Sequence, residues 1–435
     1  MCNLSLVMAA LLGLRIGDLH AQTAVGDFEI FLIAGTNDAG LTVNYTMSGV
    51  ASNGLDYTNL TGTITIPAGE EGTNIHIHPL FDTEVEFDET VVMTLLPGVG
   101  YVIDTNNFRA TNIIRDNIDE PCEGIYTVVA TNLDRPTGID YHSPSNCLIV
   151  SVNNSFNGNP FAFVQIGLSG TNTVVTNWST VNNLQDEIKL ATVKVTANGF
   201  TNGEMYFGTG EEGVIGKLAP DGSVASLNWI TLSNVSTHLR GGFYIDQTGI
   251  FSNALIAVTG GNTDEGGEVW RIQSPTNAVL LANITNFLHP HLEGVITLTN
   301  DVEKWGPWAG KILAGAEATD PPLIHAIATN GVVSSLNLGI LPEDFDIIPP
   351  NQDLYCNGFN EGKIYKLSRN LLTNFVGDLL ITQEGTLATG TKLHVVHWNS
   401  GTSSFVVRSI PPPPNFQGFE HCTFAPVNLP SLPCE

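Results

Sequence analysis

The strongest constraint on the fold is a repeat. From residue 121 onward a short apolar strand, usually carrying an acid, recurs. It appears as Gly138-Ile139-Asp140-Tyr141, Gly242-Phe243-Tyr244-Ile245-Asp246 and Gly294-Val295-Ile296-Thr297, then as Asp344-Phe345-Asp346-Ile347-Ile348, Gly377-Asp378-Leu379-Leu380-Ile381 and Phe419-Glu420-His421-Cys422-Thr423-Phe424. The first two stand 104 residues apart, which leaves room for one more near residues 188–195, and later spacings are 52, about 51, 33 and 42. A second strand follows each: CLIVSV (147–152), GEMYFGT (203–209), ALIAVTG (254–260), GKILAGA (310–316), DLYCNGF (353–359) and KLHVVHW (392–398). Third strands begin on a glycine or a Gly-Val turn at residues 212–218, 267–272 and 362–367. A unit of about 50 residues with four short strands is a propeller blade, which buries its faces by stacking on its neighbours. Residues 120–435 accommodate six blades, with seven as the alternative. The strand at residues 419–427 would close the ring against the segment beginning at Gly124, which removes the open sheet edges.

The preceding residues differ in charge. The chain has 435 residues and a formal net charge of −27. Residues 25–120 hold 15 acids and two bases, whereas residues 121–435 hold 27 acids and 13 bases. Such a composition break marks a domain boundary, here near Asp119-Glu120-Pro121-Cys122. The excess of acid argues against nucleic acid and anionic membrane surfaces as partners and favours cations, calcium above all. Residues 4–14 (LSLVMAALLGL) have the length of a signal-peptide core but no preceding Lys or Arg, so residues 1–24 read as a leader or a frayed start. The run is too short to cross a bilayer. Sparse Lys, abundant Asn, Thr and Gly, and Cys residues near both ends of the second block fit an exported protein, secreted or in the cell envelope. The six Cys show no C-x-x-C spacing, so nothing points to a zinc knuckle. A closed ring would bring Cys122 and Cys434 near enough to pair.

Residues 28–118 alternate apolar and polar side chains in short runs such as Phe28-Glu29-Ile30-Phe31-Leu32-Ile33, Leu41-Thr42-Val43-Asn44-Tyr45 and Thr90-Val91-Val92-Met93-Thr94-Leu95. Strands at this spacing predict an antiparallel sandwich of about 100 residues, with no helical period. Asp82, Glu84, Glu86, Asp88 and Glu89 put five carboxylates into eight residues. Carboxylates so crowded repel one another unless a cation neutralises them or water separates them. Sandwich loops gather at one end, where Asp56, residues 82–89 and Asp116 can meet. Calcium takes six to eight hard oxygen ligands in flexible geometry; the alternative is a solvated acidic loop. His76 and His78 share one strand face, and alternation places Ile75 and Ile77 inward with both histidines outside.

The stretches LTVNYTMSGVASNGLDYTNLTGTITIPAGE (41–70), FDTEVEFDETVVMTL (81–95) and RATNIIRDN (109–117) resemble a Calx-beta domain, an immunoglobulin-like calcium-binding sandwich. The resemblance covers about residues 25–118. It implies calcium as the bound ion and, as its ligands, Asp56 of the Gly54-Leu55-Asp56-Tyr57 motif, Asp82, Glu86 and Glu89 of the acidic segment, and Asp116 of the closing motif. Phe81 stands at one family aspartate position, and Arg115 and Asn117 flank Asp116, so one calcium site is expected. The second block resembles the six-bladed propellers of the NHL and gluconolactonase (SMP-30) group, on Leu133-Asp134-Arg135-Pro136-Thr137-Gly138-Ile139-Asp140 and Leu341-Pro342-Glu343-Asp344-Phe345-Asp346.

No G-x-S-x-G elbow, H-E-x-x-H or P-loop is present. Asp140, Asp246, Asp301, Asp346, Glu384 and Glu420 stand on or near innermost strands. They can either ring the channel and hold a divalent cation or cap strand ends. His289-Pro290-His291, the pair His394 and His397, and His421 come from three different repeat units, with nothing in the sequence to join them. Trp305-Gly306-Pro307-Trp308 reads as a plug between blades or, less simply, as a sugar-stacking pair. The expectation is an exported all-β protein of two domains, residues 25–119 and 120–435. Its function would be calcium-dependent recognition or adhesion toward an extracellular protein or a glycan. The rival is a metal-dependent propeller enzyme of lactonase or lyase type.

Overall fold

The computed structural model describes residues 10–16, 26–35, 37–80, 89–114, 125–152, 161–168, 175–184, 186–235, 239, 241–260, 266–284, 291–316, 321–383, 390–413, 416 and 418–426. The chain divides into two compact units, Met1–Asn117 and Ile118–Glu435. Among the described residues no helix is long and apolar enough to cross a membrane.

The first unit is a sandwich of two four-stranded sheets. One sheet orders Gly72–Ile77, Gly26–Ala34, Ala10–Ile16 and Tyr101–Ile103; the other orders Thr63–Ile66, Leu41–Gly49, Glu89–Leu96 and Arg109–Ile114. Period-2 alternation sends Phe28 and Ile30 of the first sheet and Val43, Val91 and Met93 of the second into one shared core. Ile75 and Ile77 point inward, while His76 faces out and pairs with Asp27 at 2.6 Å. Ala10–Ile16 falls inside the stretch read as a leader or frayed start, yet it forms a strand. It pairs antiparallel with Gly26–Ala34 and parallel with Tyr101–Ile103. An apolar run such as Ala10–Leu14 satisfies either role, and only a partner strand distinguishes them.

The second unit's described strands form six four-stranded antiparallel sheets. Their innermost strands are Ile139–His142 (blade I), Leu190–Thr192 (II), Phe243–Ile245 (III), Leu292–Thr297 (IV), Asp344–Ile347 (V) and Phe419–Pro426 (VI). Each innermost strand touches the next, and blade VI touches blade I, so the ring is closed with six blades. The glycines that recur at strand starts have a steric cause. A Cβ on Gly242 would lie 2.5 Å from the Glu293 carbonyl oxygen, and one on Gly294 would lie 2.8 Å from that of Glu343. Neighbouring blades thus approach backbone to backbone, which only glycine permits.

Two strand assignments change. Leu379–Gln383, read as an innermost strand, is the second strand of blade V beside Asp344–Ile347, and Lys392–Asn399 is its third. Between the first and second strands of blade V the chain crosses to blade VI. There it lays down Gln352–Gly358 and Lys363–Leu367 before returning. This excursion explains the short 33-residue spacing between Asp344 and Gly377. Blade VI is completed by Phe419–Pro426 on the inside and Tyr126–Ala130 on the outside, so the two chain segments share a blade without pairing directly. A disulfide joins Cys356 to Cys422 across two adjacent strands of this closing blade. Cys147 is also disulfide-bonded; Cys122 and Cys434 lie outside the described residues.

The Trp305-Gly306 turn is a plug. Trp305 and Trp308 are buried, and Trp308 stacks on Phe405 of blade V with ring centroids 3.9 Å apart. Asp301 caps this short helix by accepting from the Lys304 N–H.

Candidate functional site

The six innermost strands surround a cavity of about 570 Å³. Asp140, Lys194, Tyr244, Asp344, Asp346 and His421 supply much of its polar wall. Asp140 binds three blades together. One of its oxygens accepts from the Thr192 N–H at 2.7 Å and the Thr192 hydroxyl at 2.9 Å; the other accepts from Thr423 at 3.0 Å and from the Lys194 ammonium. Asp344 accepts from the Phe345 and Cys422 N–H groups, yet burial outweighs those bonds and raises its carboxyl to about 7. Burial and the neighbouring Asp344 charge also push the Asp346 carboxyl well up. The Tyr244 phenol is held protonated by burial and by the fields of Asp346, Asp246 and Asp140. The cavity therefore offers a protonatable carboxyl pair, a phenol and an ammonium within one chamber.

A second group sits at the beginnings of the innermost strands. Lys189 precedes the blade II strand, Glu293 is the second residue of blade IV's, Glu343 precedes blade V's and Glu420 is the second residue of blade VI's. The Lys189 ammonium donates to Glu343 Oε1 at 2.7 Å and lies 3.4 Å from Glu293 Oε2 and from Glu420 Oε2. Burial opposes its charge, but Glu293, Glu343 and Glu420 together prevail and hold it well above the ordinary lysine range. His291 bonds Glu293, and His421 places Nδ1 at 3.6 Å from Asp344 Oδ2. Burial and the Lys189 charge drive the His421 imidazole well below its usual range, so it is neutral.

Of the channel acids named from sequence, Asp140 and Asp346 line the cavity and Glu420 joins the Lys189 group. Asp246 instead holds a strand-end turn, accepting from the Phe251 and Asn253 N–H groups and from Thr297. Glu384 lies outside the described residues. His291 bonds Glu293 and His421 stands 3.9 Å from Glu343, while His394 bonds Gln383 and Ser409 and His397 bonds Asp378, on opposite faces of their strand. Lys189, Glu293 and the chemical use of Glu343 escaped sequence reading. Their shared signal was position, within one residue of the start of an innermost strand.

In the sandwich, Asp82, Glu86 and Asp116 lie outside the described residues, whereas Asp56 and Glu89 lie within them. Asp56 accepts from the Ser52 N–H at 2.6 Å, and its carbonyl accepts from the Leu80 N–H at 2.9 Å. Glu89 opens its strand in register with Ile114. The described neighbours of the acidic segment and of Asp116 are thus Leu80, tied to Asp56, and Glu89, paired with Ile114.

No protein-family profile matches the chain, and no curated protein does. Among solved structures, the apo form of the Calx CBD1 domain is 23% identical over 21% of this chain and 82% of that one, with a TM-score of 0.19. CBD12 from CALX1.2 is 17% identical over 37% of this chain and 65% of its own, with a TM-score of 0.20. A quinonprotein alcohol dehydrogenase-like protein from Bacteroides thetaiotaomicron is 10% identical over 92% of this chain and 94% of its own, with a TM-score of 0.28.

Proposed function

We propose that the protein is an exported calcium-binding recognition or adhesion protein. The Calx-beta-like sandwich holds one calcium ion through Asp56, Asp82, Glu86, Glu89 and Asp116, and the propeller presents a binding face to an extracellular protein or a glycan. One observation carries the calcium reading. The Asp56 turn is hydrogen-bonded to Leu80, immediately before the acidic segment, and Glu89, at its end, is in register with Ile114, two residues before Asp116. The flanks of all five acids therefore belong to one end of one sandwich. Export is supported by the Cys356–Cys422 disulfide, since such bonds persist in oxidising compartments.

Calcium that binds only the folded form raises the melting point of the unit that holds it. All six Trp lie in the second unit, so Trp fluorescence follows the propeller while calorimetry follows both units. The expected result is a calcium-dependent upward shift in the calorimetric transition that fluorescence does not see, abolished in Asp56→Asn with Glu89→Gln. No shift between calcium and chelator would sink the reading.

The rival, a metal-dependent propeller hydrolase or lyase, is favoured by one feature, the raised Asp344 and Asp346 carboxyls in a chamber with Lys194 and Tyr244. A carboxyl raised to about 7, as that of Asp344 is, suits acid–base chemistry. Turnover of a lactone panel, lost in Asp346→Asn, would promote it over recognition.

A further inference from the structure

We propose that Glu293, Glu343 and His421 form a binding site for a first-row divalent transition ion of the zinc or manganese type, at the strand-start end of the propeller channel. The site is separate from the sandwich calcium site and independent of it.

Each of the three residues can offer one ligand atom, and these atoms all lie within 4.8 Å of one another. All three side chains are buried, with His421 only 7% exposed. Ligands on a tetrahedral ion about 2.1 Å away stand about 3.4 Å apart, so the three must close by about an ångström, within the reach of side-chain rotation.

A cluster of acids alone would not make a site. The independent observation is the His421 imidazole. Among the described residues its buried Nε2 has no hydrogen-bond partner, and a carboxylate oxygen of Glu343 stands 3.9 Å from it. Buried polar atoms almost always find a partner, so one that does not calls for a ligand. On the ring's other side Nδ1 lies 3.6 Å from Asp344 Oδ2, and the His421 backbone N–H donates to Asn357 Oδ1 at 2.7 Å, which fixes the main chain that carries the ring.

The charges agree. Three glutamates surround the single ammonium of Lys189. A divalent ion supplies the positive charge this group lacks. The ion and the ammonium compete for Glu343, whose Oε1 Lys189 now holds at 2.7 Å, so Lys189 must turn toward Glu420 when the ion enters. The donor set selects the ion. Two carboxylates and one imidazole suit zinc, manganese or iron(II), whereas calcium prefers six to eight oxygens. His421 and Asp344 both line the cavity, which gives the ion a path from the channel.

The test uses the full chain, stripped of metal and then held in excess calcium so that the sandwich is saturated. Zinc is titrated calorimetrically, with bound zinc counted by elemental analysis. One zinc per chain is expected, with affinity falling at least 100-fold in both His421→Gln and Glu343→Gln and rising at least tenfold in Lys189→Met. No binding in excess calcium, or binding unchanged in both His421→Gln and Glu343→Gln, overturns the proposal. Crystals of the unmodified chain soaked in zinc decide the matter should a variant fail to fold. Anomalous density between Glu293, Glu343 and His421 sustains the site, and density elsewhere or none refutes it.

Discussion

Replacing Lys189 with methionine isolates the most concentrated charge interaction in the propeller. The ammonium is fully buried and lies 2.7 Å from Glu343 and 3.4 Å from both Glu293 and Glu420. Methionine conserves much of the side-chain volume, so little of the loss comes from a cavity. Three carboxylates, each no more than 7% exposed, then face one another without their cation. Removing one partner of a buried ion pair costs about 3–5 kcal/mol, chiefly because the opposite charge is stranded. We expect a loss in that range at pH 8, read as the shift in urea midpoint of Trp fluorescence, which reports the second unit alone. The loss should shrink at pH 5, where stranded glutamates take up protons. It should also shrink in Lys189→Met with Glu343→Gln, because one stranded charge is then gone. A loss below about 1 kcal/mol, the worth of a solvated surface pair, would refute the reasoning.

Further outcomes concern covalent closure and acid stability. The Cys356–Cys422 bond spans 66 residues, and loop-entropy arithmetic for that length gives about 4 kcal/mol, so Cys356→Ser with Cys422→Ser should lower the fluorescence midpoint accordingly. His325, 1% exposed in blade IV, has its imidazole depressed by burial to about 4. Its neutral form is the one the fold accepts. Its contribution is therefore full above the unfolded value near 6.5 and is lost as pH falls through about 4, reaching about 3 kcal/mol there. His325→Gln should flatten the acid limb of the stability profile, and an unchanged limb would contradict this.

Much of the fold was legible because alternation and repeat length are local signals. The strand Cys147–Ser151 and its counterparts in blades II, III and IV stand where their sequence patterns put them. Blade count was harder, since Gln352–Gly358 follows a blade V strand in sequence but belongs to blade VI in space. Nothing local encodes that crossing, and Leu379–Gln383 has the same apolar pattern as an innermost strand. The channel acids were half legible for a related reason. Asp140 and Asp246 look alike in sequence, but one faces the cavity and the other closes a turn with Phe251 and Asn253. Lys189, Glu293 and Glu343 are more than 40 residues apart in sequence, so only ring closure joins them. In the sandwich Asp82, Glu86 and Asp116 lie outside the described residues, and the structure gives the hydrogen bond from Leu80 to Asp56 and the register of Glu89 with Ile114.

The proposed calcium site is tested most directly by anomalous diffraction from crystals of the full chain grown in calcium. One strong calcium peak is expected at the end of the sandwich that carries Asp56 and Glu89. Calcium density absent from that end would contradict it.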